Sequence, residues 1–202
     1  KLMAEVIKVN GKNAAVQVFE STRGLKNGDV VEFEDRMLEA TLGPGLLSSS
    51  YDGLQNDLTT MTGVFLKKGE YTDPLNHEKL WDFTPLAKAG DKVVAADWLG
   101  EVKEGWLPHK IMVPFAFKGE YTVKSVAPAG QYNIDKVIAV LTNAEGEDVN
   151  VTMYQKWPVK VAIKGYKDKP RPSKIMETGV RAIDTLNPIA EGGTGFIPGP
   201  FG

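Results

Sequence analysis

Trp81-Asp82-Phe83-Thr84-Pro85-Leu86, then Gly90-Asp91-Lys92-Val93, then Leu99 and Val102, is the stretch on which the fold turns. Apolar residues alternate with polar ones, a Gly-Asp turn intervenes, and a short apolar run follows: strand, turn, short strand, turn, strand. About forty residues later the order returns, with Tyr121, Val123 and Val126, then Gly130, then Ile134, Val137-Ile138 and Val140-Leu141. Two such β-hooks have no buried face of their own and can cover their apolar sides only against each other. The region from Phe65 to Lys160 is therefore predicted to be a compact sandwich of two quasi-equivalent halves.

Outward from that core the chain stays β-rich. Ala4 to Val9 and Ala14 to Phe19 are short apolar runs separated by Asn10-Gly11, a pair suited to a tight hairpin. Asn27-Gly28 repeats the signal before Val30-Val31-Glu32-Phe33, which predicts a further strand of a small, incomplete barrel. Gly43-Pro44-Gly45 breaks the pattern, and Asp52 is placed to cap a short helix within Ser48 to Met61. Lys160 to Lys174 is basic and proline-bearing and reads as a solvated connector. Val180 to Leu186 has helical spacing, ended by Pro188.

Composition narrows the function classes. The 202 residues are 42% hydrophobic and 25% charged, which suits a globular chain that needs no covalent staple. With 24 basic and 26 acidic residues the net charge is -2, so nucleic acid is not expected as a partner. Cysteine is absent, which removes disulfides and thiolate metal sites and fits a reducing compartment. No apolar run approaches the ~20 residues that span a bilayer as a helix, and no secretory leader is visible. His77 and His109, the only histidines, read as loop or surface groups rather than zinc ligands. Asp91, Asp97, Glu101 and Glu104 read as solvated turn residues. Trp81, Trp98, Trp106 and Trp157 read as packing for the sandwich.

The last residues carry the chemistry. Gly199-Pro200-Phe201-Gly202 has the shape of the first half of a phosphate-binding loop, G-x-x-x-x-G-K-[ST], whose backbone N–H groups curl around phosphates at a helix N-terminus. Alone, the tetrapeptide is a weak signal. In front of it, Thr178-Gly179-Val180-Arg181-Ala182-Ile183-Asp184-Thr185-Leu186-Asn187-Pro188-Ile189-Ala190-Glu191-Gly192-Gly193-Thr194 closely resembles the segment that precedes this loop in catalytic A (alpha) subunits of V/A-type rotary ATPases and ATP synthases. Leu42-Gly43-Pro44-Gly45-Leu46-Leu47 and Tyr51-Asp52-Gly53-Leu54-Gln55 are similar to that family's crossing from barrel to nucleotide domain. The Trp81–Leu86 stretch, Gly90-Asp91-Lys92-Val93, His109-Lys110-Ile111-Met112-Val113-Pro114 and Ala129-Gly130-Gln131-Tyr132 resemble its inserted domain. Met153-Tyr154-Gln155-Lys156-Trp157-Pro158-Val159 resembles the exit from it. Four positions depart from the family's habit: Asn56-Asp57 for Arg-Pro, Asn187 for Phe, and Glu191 for a basic or apolar residue.

The resemblance implies a mainly β fold. A partial N-terminal β-barrel would occupy 1–42, a crossing 43–64, an inserted barrel-sandwich-like domain 65–160, and a connector with the start of an α/β nucleotide-binding domain 161–202. Both ends read as cut, with one more strand-and-turn unit expected before Lys1. The parent protein is expected to bind ATP or ADP with Mg2+ and to couple ATP synthesis or hydrolysis to ion transport. It would alternate with B subunits in a hexameric ring, contact central shaft and peripheral stalk subunits, and lie at the cytoplasmic face of a membrane. Lysine, magnesium, an aligning glutamate and a neighbour's arginine do the chemistry in that family. No catalytic residue is assigned here, and Gly199, Pro200, Phe201 and Gly202 are the expected nucleotide-loop residues. The alternatives are a biotinyl- or lipoyl-like carrier, for which Lys110 is the one tempting lysine, and a non-catalytic interaction module.

Overall fold

The computed structural model describes residues 1–47, 49–61, 63, 65, 67–164, 168, 171–196 and 198–200. It falls into two units, Lys1–Gly165 and Tyr166–Gly202.

The first unit opens with an antiparallel hairpin of β1 (Ala4–Asn10) and β2 (Asn13–Val18). Asn10 pairs with Asn13, leaving a two-residue turn whose first position is Gly11 at φ +58, a conformation glycine adopts without strain. A bulge at Ile7 shifts the register between Val6 and Lys8. Beyond it the further strand expected at Val30 to Phe33 does not form among the described residues. Asn27-Gly28 does form a turn, but Val30, Val31 and Phe33 are exposed. A strand needs a partner ladder, and among the described residues nothing pairs with this run. The helix expected at Asp52 is also absent among the described residues. The Asp52 carboxylate instead accepts the backbone N–H groups of Leu54 and Asn56, closing a local turn that competes with helix formation.

β3 (Glu39–Leu42) runs antiparallel to β12 (Gln155–Pro158), so the chain enters and leaves the sandwich on adjacent strands. The side chain of Gln55 brackets this entry, accepting the N–H of Thr41 at 2.8 Å and donating to its carbonyl at 2.7 Å.

Between them lie β4 (Trp81–Pro85), β5 (Lys92–Val93), β6 (Trp98–Glu104), β7 (Leu107–Met112), β8 (Tyr121–Val126), β9 (Gly130–Tyr132), β10 (Ala139–Thr142) and β11 (Asp148–Val151). They make two four-stranded sheets, ordered β7-β6-β4-β9 and β11-β10-β8-β5. The two hooks, β4 to β7 and β8 to β11, are thus equivalent strand by strand. Each lends its short second strand to the other's sheet. The hooks interlock as well as pack. Gly90 N–H donates to the Val123 carbonyl and Val123 N–H to that of Asp91, each at 2.8 Å, fixing the crossover.

The apolar face of each strand points into the seam. Phe83, Leu99, Val102, Val123, Ile138 and Leu141 are among its fully buried side chains. Of the four tryptophans, Trp81 belongs to this core. Trp157 meets Phe115 edge-on, ring centroids 5.6 Å apart. Trp98 and Trp106 do not pack as expected: they are 57% and 89% exposed. Trp98 sits at the outer start of β6, and Trp106 occupies the tip of the β6–β7 hairpin beside Gly105 at φ +61.

In the second unit the helix α1 (Arg181–Leu186) forms at the expected place and ends at Asn187 before Pro188. The Asp184 carboxylate turns back to accept the hydroxyl and N–H of Thr178 and the N–H of Gly179, which holds its acid well ionised.

Candidate functional site

The second unit prepares the glycine-rich segment. Lys174 to Met176 and Ile189 to Glu191 form a short antiparallel clasp. Ile175 bridges Ala190, Glu191 N–H donates to the Lys174 carbonyl at 2.9 Å, and the two side chains pair at 2.7 Å. Gly192, at φ +75, starts the segment that leaves this clasp. Gly195 is tightly placed, since a Cβ there would lie 3.2 Å from Ile189 Cδ1. Gly199 and Pro200 are exposed, and a Cβ on Gly199 would meet open space. Pro200 has no N–H to donate. Phe201 and Gly202 lie outside the described residues. Among the described residues no cluster of His, Asp and Glu is arranged for a metal ion.

A second, more deeply built constellation lies in the first unit, where the crossing loop meets the sandwich. Glu104, at the end of β6, is a buried carboxylate. Its Oε1 accepts the N–H of Gly45 at 2.7 Å and of Leu47 at 3.1 Å, and its Oε2 lies 2.7 Å from Nδ1 of His109 on β7. The Gly43-Pro44-Gly45-Leu46-Leu47 loop is thereby pinned to the β6–β7 hairpin. Beside it opens a cavity of about 380 Å³ lined mostly by apolar groups, among them Leu42, Leu46, Leu107, Met153 and Tyr154. Gly43 is held to the same surface: a Cβ there would fall 2.7 Å from Tyr154 Cβ.

The acidic residues of the sandwich divide accordingly. Asp91 and Asp97 are turn residues, accepting the N–H groups of Lys88 and Val94. Glu101 pairs with Lys110 across β6 and β7. Glu104 is buried, not solvated in a turn, and the strand alternation carries that signal, because it shares its face with Val102. Lys110 lies within β7, engaged by Glu101 and by the face of Trp98 at 4.9 Å. The hairpin tip, where a carrier lysine belongs, holds Gly105-Trp106 instead.

Asn56-Asp57 is a built pair too. Buried Asn56 donates to Asp52 at 2.8 Å and accepts Thr72 N–H at 2.9 Å, while Asp57 N–H donates to Thr72 Oγ1 at 2.7 Å. A proline at 57 would lack that last donor.

Comparison with known proteins agrees with this architecture. The family model described as ATP synthase alpha/beta family, beta-barrel domain matches residues 1–35, and that described as ATPsynthase alpha/beta subunit barrel-sandwich domain matches residues 72–160. The chain is 47% identical over 205 residues to the V-type ATP synthase alpha chain of Treponema denticola, covering 100% of this chain and 35% of that one. It is 48% identical over 204 residues to that of Borrelia garinii subsp. bavariensis, covering 100% and 36%. For Protochlamydia amoebophila the identity is 46% over 205 residues, covering 100% and 34%. The chain spans about a third of the length of the curated relatives it matches.

Proposed function

The chain belongs to the ATP synthase alpha/beta family and is similar along its whole length to V-type alpha chains, and on that premise we propose that it is the barrel, crossing and inserted-sandwich portion of the catalytic subunit of a V/A-type ATP synthase or ATPase. The parent subunit makes or hydrolyses ATP and is coupled to ion movement, taking ATP or ADP with Mg2+. It alternates with B subunits in a ring at the cytoplasmic face of a membrane, in contact with the shaft and peripheral stalk. Bound magnesium supplies charge neutralisation at the phosphates. Of the residues present, Gly199 offers a backbone N–H to that site, Pro200 shapes the turn, and Phe201 and Gly202 continue it. The working division is 1–42 barrel, 43–64 crossing, 65–160 insertion and 161–202 connector with the start of the nucleotide domain.

Within that protein this stretch is scaffold and contact surface. The observation that carries the reading is the pairing of β3 with β12, which lets a complete sandwich be inserted between two neighbouring points of a continuing chain. The sandwich then presents Trp106, 89% exposed on a tight hairpin, as an anchor for a stalk subunit. In the full-length subunit, Trp106→Ala is expected to weaken stalk attachment by at least about tenfold, the effect of losing an aromatic anchor of ~2 kcal/mol. ATP hydrolysis by the detached ring should be unchanged. Loss of hydrolysis with attachment intact would place the sandwich in the catalytic machinery and overturn the division.

A further inference from the structure

His77 is presented with a carboxylate at each ring nitrogen. Nδ1 lies 2.8 Å from Asp135 Oδ2, and Nε2 lies 3.1 Å from Asp73 Oδ2. A neutral imidazole has one N–H and one lone pair, so it can donate to only one of these. The other nitrogen would then set a lone pair against a carboxylate oxygen at hydrogen-bond distance. Only the imidazolium satisfies both contacts.

The two carboxylates come from different parts of the first unit. Asp135 belongs to the loop between β9 and β10. Asp73 opens the loop that leads into β4, where its Oδ1 accepts the Leu75 N–H at 3.0 Å and turns Leu75 into the core, 4% exposed. The same loop is held by the Tyr51 hydroxyl, which donates to the Pro74 carbonyl at 3.0 Å. The titratable groups facing the ring are Asp73 on its own loop, Asp135 on the facing loop, and Tyr154, whose ring meets it edge-on at 5.7 Å.

We propose that His77 is a proton-operated latch, whose imidazolium ties the loop of residues 73–80 to the β9–β10 loop and whose deprotonation loosens that tie while Leu75 stays in the core. The hydrogen bond to Asp135, with Asp73 adding to it, holds the His77 pKa above its ordinary value of 6.5 against the opposing effect of burial. A group whose pKa is raised on folding stabilises the fold fully below its unfolded pKa. That contribution disappears as the pH climbs through the folded pKa. The latch is therefore closed below pH ~6.5 and opens on the alkaline side.

With only two histidines in the chain, an NMR titration resolves each ring, and His77→Gln identifies which is which. The expected midpoint for His77 lies above 6.5 and falls in Asp135→Asn. Amide exchange of residues 73–80, corrected for intrinsic rates, should show opening that rises through the same midpoint, by up to about tenfold for each unit of raised pKa. His77→Gln should show no such step. A wild-type midpoint at or below the ordinary value, or protection of 73–80 that stays flat through the midpoint, overturns the latch. Both overturning readouts come from the wild-type chain, and a variant serves only to assign the ring, for which His109→Gln serves as well as His77→Gln.

Discussion

Glu104→Ala is expected to lower the unfolding free energy by about 3 kcal/mol, because it removes a buried acceptor that serves several donors, at about 1–3 kcal/mol for each buried donor left unsatisfied. The Glu104 side chain is 7% exposed and His109's is 25% exposed, so water can reach the orphaned imidazole and moderate the loss. Two further donors lose their acceptor, the N–H groups of Gly45 and Leu47. The half-buried Gly45 suffers more than the exposed Leu47. In a chain of this size the change corresponds to a fall in Tm of roughly 6–12 °C. Glu104→Gln should cost less, since its amide oxygen still serves the loop. Thermal unfolding gives the magnitude, and amide exchange at Gly45 gives the location. A loss under about 1 kcal/mol, or unchanged exchange at Gly45, would show that the loop is held by other contacts.

Phe83→Ala is expected to cost about 3–5 kcal/mol, through lost burial and the cavity left behind. Phe83 is 1% exposed, sits between Val102 and Gly130 across its sheet, and meets Tyr132 edge-on at 6.3 Å. The ring is accommodated only because position 100 has no side chain: a Cβ on Gly100 would lie 2.3 Å from Phe83 Cε2 and 2.9 Å from the Thr84 carbonyl oxygen. Gly100→Ala should therefore cost about 1–3 kcal/mol as overpacking. Combined with Phe83→Ala, the added methyl enters the vacated space. The double variant should be less destabilised than the two single losses added together, by at least about 0.5 kcal/mol. Strict additivity in denaturant unfolding would mean that ring and glycine do not share that space.

The parts of the fold written in local chemistry were legible before the structure. Asn10-Gly11 announces its hairpin, and Pro188 limits its helix. The alternation around Phe83 and Val123 marks the two hooks, because each signal acts over a few residues. The exchange of β5 and β9 between sheets was not legible, since it depends on hydrogen bonds between Gly90, Asp91 and Val123, which lie about thirty residues apart. Val30 to Phe33 has strand composition without a strand, because composition does not supply a partner ladder. Asp52 shows the reverse: its preference for bonding nearby N–H groups was readable, but whether these belong to a helix or a turn is decided by what lies around them. Glu104 was missed because a carboxylate near a turn ordinarily faces water. Only its parity with Val102 points inward. The reading of Gly199 and Pro200 as nucleotide-loop residues rests on the resemblance, since four residues of glycine, proline and phenylalanine carry little chemistry of their own.

The pinned loop and the interlocked sandwich of the first unit suit the scaffold role proposed above. The most direct test is magnesium-ATP binding, by equilibrium dialysis, to this 202-residue chain and to the same chain continued through a whole nucleotide domain. Binding by the longer chain alone, lost when the phosphate-loop lysine is replaced, is the expected result. Stoichiometric binding by the shorter chain, or none by either, would contradict the assignment of this stretch as scaffold of a nucleotide-handling subunit.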